Sequence, residues 1–305
     1  MTRFSTAKFY KITNIYINMD KIVVIGGSGF LGSKLLGLLS ETYAVVGTYQ
    51  NKEQQGLHKL DIADKRAVDE FISQEKPKFV IHTAAMSDPD DCEVYKELAE
   101  NINHIGTRNI AGACRTYDSK LIYISTVYVF DGKKGSYQES DKCSPINFYG
   151  ETKLRAEQEA LTLAGSVVLR FDILYGFNSI AGNNGFFSKI IRGSRVEVNN
   201  DQKRQPLLVD DVGYAIKVIL EGNQSGIYHL AGPEKITKYE LGLVLEKIVR
   251  RESELIPIPE KQQVARRPKD VSLNTSKARS IGIVFHSISE GLELVRQQYE
   301  GSRTK

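Results

Sequence analysis

The segment NFYGETK, residues 147–153, sets a phenol and an amine four positions apart, Tyr149 and Lys153. On a helix, positions i and i+4 share a face, so both side chains can enter one cleft. A phenol titrates near 10 and is a poor acid at neutral pH unless a neighbouring cation favours its anion. Lys153 stands where such a cation is needed. A hydroxyl that holds the substrate oxygen completes a proton-transfer site. Thr126 is the candidate: in YISTVYVFDG, Ser125 and Thr126 end an apolar strand. Open α/β sheets bind ligands at the carboxyl ends of their strands.

A trio of this kind moves a proton and needs a separate source of reducing equivalents. VVIGGSGFLG offers one, with Gly26, Gly29 and Gly32 at three-residue spacing between a strand and an apolar helix. Gly26 permits a tight turn, Gly29 lets the backbone approach a pyrophosphate, and Gly32 allows the helix to pack close to the strand. Gly26, Ser28, Gly29, Phe30 and Leu31 are the expected nucleotide-loop residues. The second strand ends in GTYQNKEQQ, with no acid to hold a ribose 2′-hydroxyl. That favours NADP(H) over NAD(H), and Lys52 is either an attraction for a 2′-phosphate or a solvated loop lysine. Asp61 and Ile62, in LDIADK, fall near the expected adenine; Asp61 also fits an N-cap of the following helix.

The elements that must position these residues are legible as alternation. KIVVIG (21–26), YAVVGT (43–48), KFVIHTA (78–84), KLIYIS (120–125) and SVVLRF (166–171) are nearly continuous apolar runs, as in a parallel sheet covered on both faces. Segments with helical spacing separate them, which implies right-handed crossovers and an α/β, Rossmann-type doubly wound sheet. After residue 172 the pattern loosens. FNSIAGNNG is a Gly/Asn-rich loop and GFFSKIIRG a short helix; DDVGYAIKVILEG and KYELGLVLEKIVRR are longer helices among short strands. The division expected is an N-terminal extension over 1–18, a cofactor domain over 19–172, and a smaller α+β substrate lobe over 173–305. Some elements of that lobe return to the first domain. Residues 1–18 are expected to be disordered.

Composition narrows the function further. The 305 residues are 41% hydrophobic and 26% charged, with Lys+Arg 41 against Asp+Glu 37. Setting aside Arg3, Lys8 and Lys11 leaves 38 basic residues against 37 acidic ones, with no clustered basic face for nucleic acid. No apolar run reaches the roughly 18 residues of a membrane span. Cys92, Cys114 and Cys143 are too few and scattered for a disulfide framework or a metal knuckle, which suits a cytoplasmic protein. Asp90, Asp91 and Glu93 read as solvated loop acids, so no metal is assigned. His82 and His104 read as structural, and Arg170 as a residue that orients nearby backbone. Arg266 and Arg267 fit either a phosphate clamp or a surface pair.

In order and type, the glycine loop, the Ser/Thr and the Tyr-x-x-x-Lys resemble the extended short-chain dehydrogenase/reductase family over roughly residues 20–300. STVYVFDGKKGSYQESDKCSPINFYGETKLRAE, GIYHLAGPEKITKYELG and RRPKDVSLNTSKARSIGI resemble its dTDP-4-dehydrorhamnose reductase branch. They also resemble its NADP-binding regulatory β subunits of methionine adenosyltransferase. The resemblance implies NADPH-dependent reduction of a dTDP-4-keto-6-deoxyhexose at C4, in dTDP-L-rhamnose synthesis. It implies Thr126 as substrate-oxygen donor, Tyr149 as acid, and Lys153 as cation and ribose ligand. Ala84 and Ala85 lie beneath the nicotinamide, and Asn103 supports the site. A nucleotide sugar is the implied partner, and a homodimer the assembly to test. Two departures concern the sugar: Val127 stands where the reductases usually carry an aspartate, and DQKRQPLLVDDVG lacks the Gly and Thr-Tyr common around Pro206. The other readings are a nucleotide-sugar epimerase or dehydratase with bound NAD, and a regulatory subunit without turnover.

Overall fold

The computed structural model describes residues 19–178, 190, 194–200, 202–249, 253–258 and 263–303. The extension over 1–18, most of the Gly/Asn-rich loop and all but one residue of the core of the short helix expected near 185–193 lie outside these.

Seven strands form one sheet: β1 (Lys21–Ile25), β2 (Ala44–Tyr49), β3 (Leu57–Lys59), β4 (Phe79–His82), β5 (Lys120–Ile124), β6 (Val167–Arg170) and β10 (Gly226–His229). Their order is β10-β6-β5-β4-β1-β2-β3. Every pairing is parallel. The chain reverses its direction of travel between β1 and β4, the switch point where such sheets open a crevice.

Apolar residues fill both sides of each central strand because side chains alternate across a pleat. Ile22 and Val24 face a core with Leu35 and Leu39 of α1 (Phe30–Leu39) and Val212 and Ile216 of α7 (Val209–Glu221). Val23 and Ile25 face the opposite core, with Val68 and Ile72 of α2 (Lys65–Glu75), Ile110 of α5 (Gly106–Thr116) and Ala156 of α6 (Phe148–Leu161). So α7 and β10, which follow residue 172, return to the main sheet.

Between β4 and α5 lie two short helices, α3 (Pro89–Val94) and α4 (Lys96–Ala99), and a π-helical turn over Glu100–Ile105. The remaining strands make two small parallel pairs. β7 (Leu174–Tyr175) pairs with β9 (Leu207–Leu208), and β8 (Arg195–Asn199) with β11 (Glu254–Ile258). Tyr175, Val196, Leu208 and Ile190 form a further core with Leu241 of α8 (Lys238–Val249) and Leu292 of α10 (Ile288–Arg303). A last short helix, α9 (Ser276–Ser280), precedes α10. Among the described residues, no helix is long and apolar enough to cross a membrane.

Candidate active site

The glycine loop is built as the spacing predicts. Gly26 has φ +87°, and a Cβ there would sit 2.7 Å from the Ala84 nitrogen. A Cβ on Gly32 would collide with the Gly26 carbonyl, so the close crossing of α1 over the loop requires glycine. Gly29 is the N-cap of α1, which has no side-chain cap and no acid in its first turn. Its leading N–H groups are therefore open to an anion. Thr48, at the end of β2, accepts a hydrogen bond from the Gly26 N–H at 3.2 Å. The residue in the place of the missing acid thus props the loop from inside, while Lys52 is exposed.

Thr126, Tyr149 and Lys153 meet in a cleft of about 810 Å³ at the carboxyl ends of the strands. Asn147 caps α6, its Oδ1 accepting from the Gly150 N–H at 2.9 Å. Glu93 accepts from the Phe148 N–H at 3.0 Å. These contacts fix the helix start and with it the direction of Tyr149. The Tyr149 ring meets Tyr128 edge-on at 5.6 Å and packs with Cys92 and Ala99. Burial pushes the phenol well above its usual value, opposed by the Thr126 hydroxyl.

Lys153 departs from expectation. Its Nζ donates to the Ile124 carbonyl at 2.7 Å and lies 4.2 Å from the Tyr123 ring centroid. Burial lowers its pKa to about 7, against the pull of Glu157. Desolvation, and not the ammonium, therefore dominates the phenol in this structure.

Asn103 is buried and bridges two segments. Its Oδ1 accepts from the Met86 N–H at 2.9 Å, and its Nδ2 donates to the Met86 carbonyl at 3.0 Å and to Thr152 Oγ1 at 3.1 Å. Thr152 donates in turn to the Tyr149 carbonyl at 2.8 Å. The π-helical turn at Asn103 ties the segment after β4 to the helix that carries the phenol.

Of the residues expected from the sequence, Gly29, Phe30, Leu31, Ala85, Thr126, Tyr149, Lys153 and Arg267 line the cleft. Gly26, Ser28, Asp61, Ile62, Ala84, Asn103 and Arg266 are not among its lining residues. The arginine pair splits. Arg267 is buried, ion-paired with Asp90 at 3.0 Å, whereas Arg266 is exposed and its carbonyl accepts from Asn147. Asp61 does not cap a helix; Asp64 caps α2, accepting from the Arg66 and Ala67 N–H groups at 2.9 and 3.1 Å. Asp61 instead accepts from the Ala63 N–H in the preceding turn.

Arg170 pairs with the Glu157 carboxylate at 2.6 Å, so its partner is a side chain and not backbone. His82 bonds Thr107 at 3.1 Å, and His104 pairs with Glu100 at 2.7 Å. No group of three or more metal-ligating side chains occurs among the described residues, and the three cysteines are free.

Sequence reasoning did not single out Tyr128, Asp172, Gln202 and Lys238, which also line the cleft. For Asp172 a signal was present: an acid directly after the apolar run VVLRF.

The family described as the RmlD substrate binding domain matches residues 19–300. The β subunit of methionine adenosyltransferase 2 from Rattus norvegicus is 31% identical over 283 residues, covering 88% of this chain and 84% of its own. A crystal structure of a hypothetical dTDP-4-dehydrorhamnose reductase from Sulfolobus tokodaii superposes with a TM-score of 0.79 at 35% identity, covering 89% and 98%. The dTDP-4-dehydrorhamnose reductase from Bacillus anthracis, solved in complex with NADP, gives 0.83 at 29% identity, covering 92% and 99%.

Proposed function

The chain belongs to the RmlD substrate binding domain family, and on that premise we propose that it reduces the C4 keto group of a dTDP-4-keto-6-deoxyhexose with NADPH. The observation that carries this reading is the meeting of Thr126, Tyr149 and Lys153 in one cleft with the open first turn of α1. The residues fit a nicotinamide nucleotide: the loop has no side chain where a pyrophosphate would lie, and the helix start has free donors. Once bound, the cofactor supplies the hydride.

The chain's own residues supply orientation and the proton. The Phe30 and Leu31 N–H groups hold the pyrophosphate, with the Gly29 N–H closing the turn onto the Gly26 carbonyl at 3.0 Å, and Lys153 Nζ holds the ribose. Thr126 Oγ1 holds the substrate carbonyl oxygen, and Tyr149 Oη delivers its proton there. A phenol raised above its usual pKa is fully protonated at neutral pH, so it arrives as the acid. The preference for NADPH follows from the β2 end, where Thr48 is occupied with the loop and no acid repels a 2′-phosphate. Residues 19–172 hold the cofactor and the proton-transfer groups, and cleft-lining residues after 173, such as Gln202, Lys238 and Arg267, shape the substrate side.

Tyr149→Phe is expected to lower turnover of enzymatically generated dTDP-4-keto-6-deoxy sugar by about 10²–10⁴-fold, with NADPH affinity retained. Near-wild-type turnover in that variant would remove the mechanism. A second reading, a non-catalytic NADP-binding partner of a methionine adenosyltransferase, draws on the similarity to the rat β subunit over 88% of this chain. It predicts co-purification with such an enzyme and no NADPH oxidation with any keto-sugar.

A further inference from the structure

The cleft wall beyond Tyr149 holds a carboxylate whose hydrogen-bonding capacity the protein leaves open. Asp172 stands two residues past the end of β6 and lines the cleft. Its side chain is 4% exposed, and its Oδ1 lies 3.7 Å from Arg204 Nη1. Its Oδ2 is buried and has no hydrogen-bond partner among the described residues. Buried acceptors are almost always satisfied, because leaving one unmet forfeits its solvation. An open acceptor in the wall of a ligand cleft therefore calls for a donor on the ligand.

The surroundings hold this carboxylate in place. Arg204 lies behind the wall, outside the lining, with its side chain 2% exposed. Its Nη2 donates to Gln202 Oε1 at 2.6 Å and to Tyr128 Oη at 3.1 Å. Tyr128 in turn meets Tyr149 ring to edge. The carboxylate is thus locked one aromatic layer from the reactive phenol. Burial raises the pKa of Asp172, and the charges of Arg204 and Lys238 and the backbone N–H groups of Gln205 and Ile173 oppose that rise without cancelling it. A phosphate has no proton to offer such a group and would be repelled, whereas a sugar hydroxyl is a donor of the right kind.

We propose that Asp172 is a specificity-determining residue, accepting a hydrogen bond at Oδ2 from a ring hydroxyl of the substrate sugar, with Arg204 as the positioning residue that aims it. The assignment rests on the nucleotide-sugar reading above. It places recognition of the hexose on the strand end after β6.

The test is calorimetric binding to NADP⁺-loaded protein of a dTDP-6-deoxyhexose and of analogues each lacking one ring hydroxyl. Wild type is compared with Asp172→Ala and with Asp172→Ala/Arg204→Met, the double variant removing the buried positive charge together with the negative one. Loss of one particular hydroxyl is expected to weaken wild-type binding roughly tenfold or more. Asp172→Ala should weaken the full ligand by a similar factor and cause no further loss with that one analogue. Unchanged affinity in both variants overturns the assignment. So does an equal loss across every analogue, and so does a wild-type protein that binds none of these sugars. NADPH oxidation by wild type reports separately on the reductase reading: binding through Asp172 without oxidation removes that reading and leaves this one.

Discussion

Arg170 and Asp172, two residues apart at the end of β6, enter buried ion pairs of opposite character. Arg170 and Glu157 are 2% and 1% exposed, and two bonds join them, Nε to Oε1 at 2.9 Å and Nη2 to Oε2 at 2.6 Å. Ser125 adds a further hydrogen bond to Glu157 Oε1, and Cys143 and His229 flank the guanidinium. Asp172 and Arg204 are as deeply buried, yet stand 3.7 Å apart with one carboxylate oxygen unmatched. Burial of charge is common to both, so burial does not mark function. Unspent hydrogen-bonding capacity beside a cleft is what separates them, because a fully satisfied network has nothing left to offer a ligand.

The largest effect expected is on the closed pair. Glu157→Ala leaves Arg170 buried without its partner, and unfolding should become easier by about 3–5 kcal/mol in denaturant titration. Asp172→Asn should cost clearly less, because Arg204 keeps Gln202 and Tyr128 as acceptors. Equal losses in the two variants would erase the difference between the two pairs.

His229 sharpens it through pH. Burial, then the Arg170 charge, lower its pKa to about 3, against a reference value near 6.5. Between those values the unfolded chain binds the extra proton and the folded one does not. Stability is therefore complete above pH 6.5 and falls as pH drops toward 3, by up to about 1.4 kcal/mol per pH unit. His229→Gln should flatten that part of the stability curve relative to wild type. A parallel curve would place His229 outside the closed cluster. The smallest effect is expected at Arg66–Glu70, an i,i+4 pair with both side chains mostly exposed. Arg66→Ala should leave the melting temperature unchanged, which marks the floor against which the buried pairs are judged.

Much of this architecture can be read in the sequence, for reasons that are local. Each central strand is apolar on both faces because helices cover both faces of a parallel sheet. The glycine loop is legible because a positive φ at Gly26 and the close approach at Gly32 are backbone demands that one residue type meets. Tyr149 and Lys153 share a helix face by spacing alone. Asp64 and Asp61 show the limit of such signals: both precede α2, and only the position of the free N–H groups selects Asp64 as cap.

What the sequence determines by itself is therefore the sheet, the loop and the presence of a phenol, an amine and a hydroxyl at one end of it. Tertiary structure decides their electrostatics. Lys153 turns to the Ile124 carbonyl, and burial sets the state of Tyr149, since desolvation depends on every neighbour and not on the interval between two residues. Tertiary structure likewise decides the wall of the cleft beyond Tyr149. Asp172, Arg204, Lys238 and Arg267 come from four separate segments with no shared period, and they meet because the chain after β6 folds back over the strand ends.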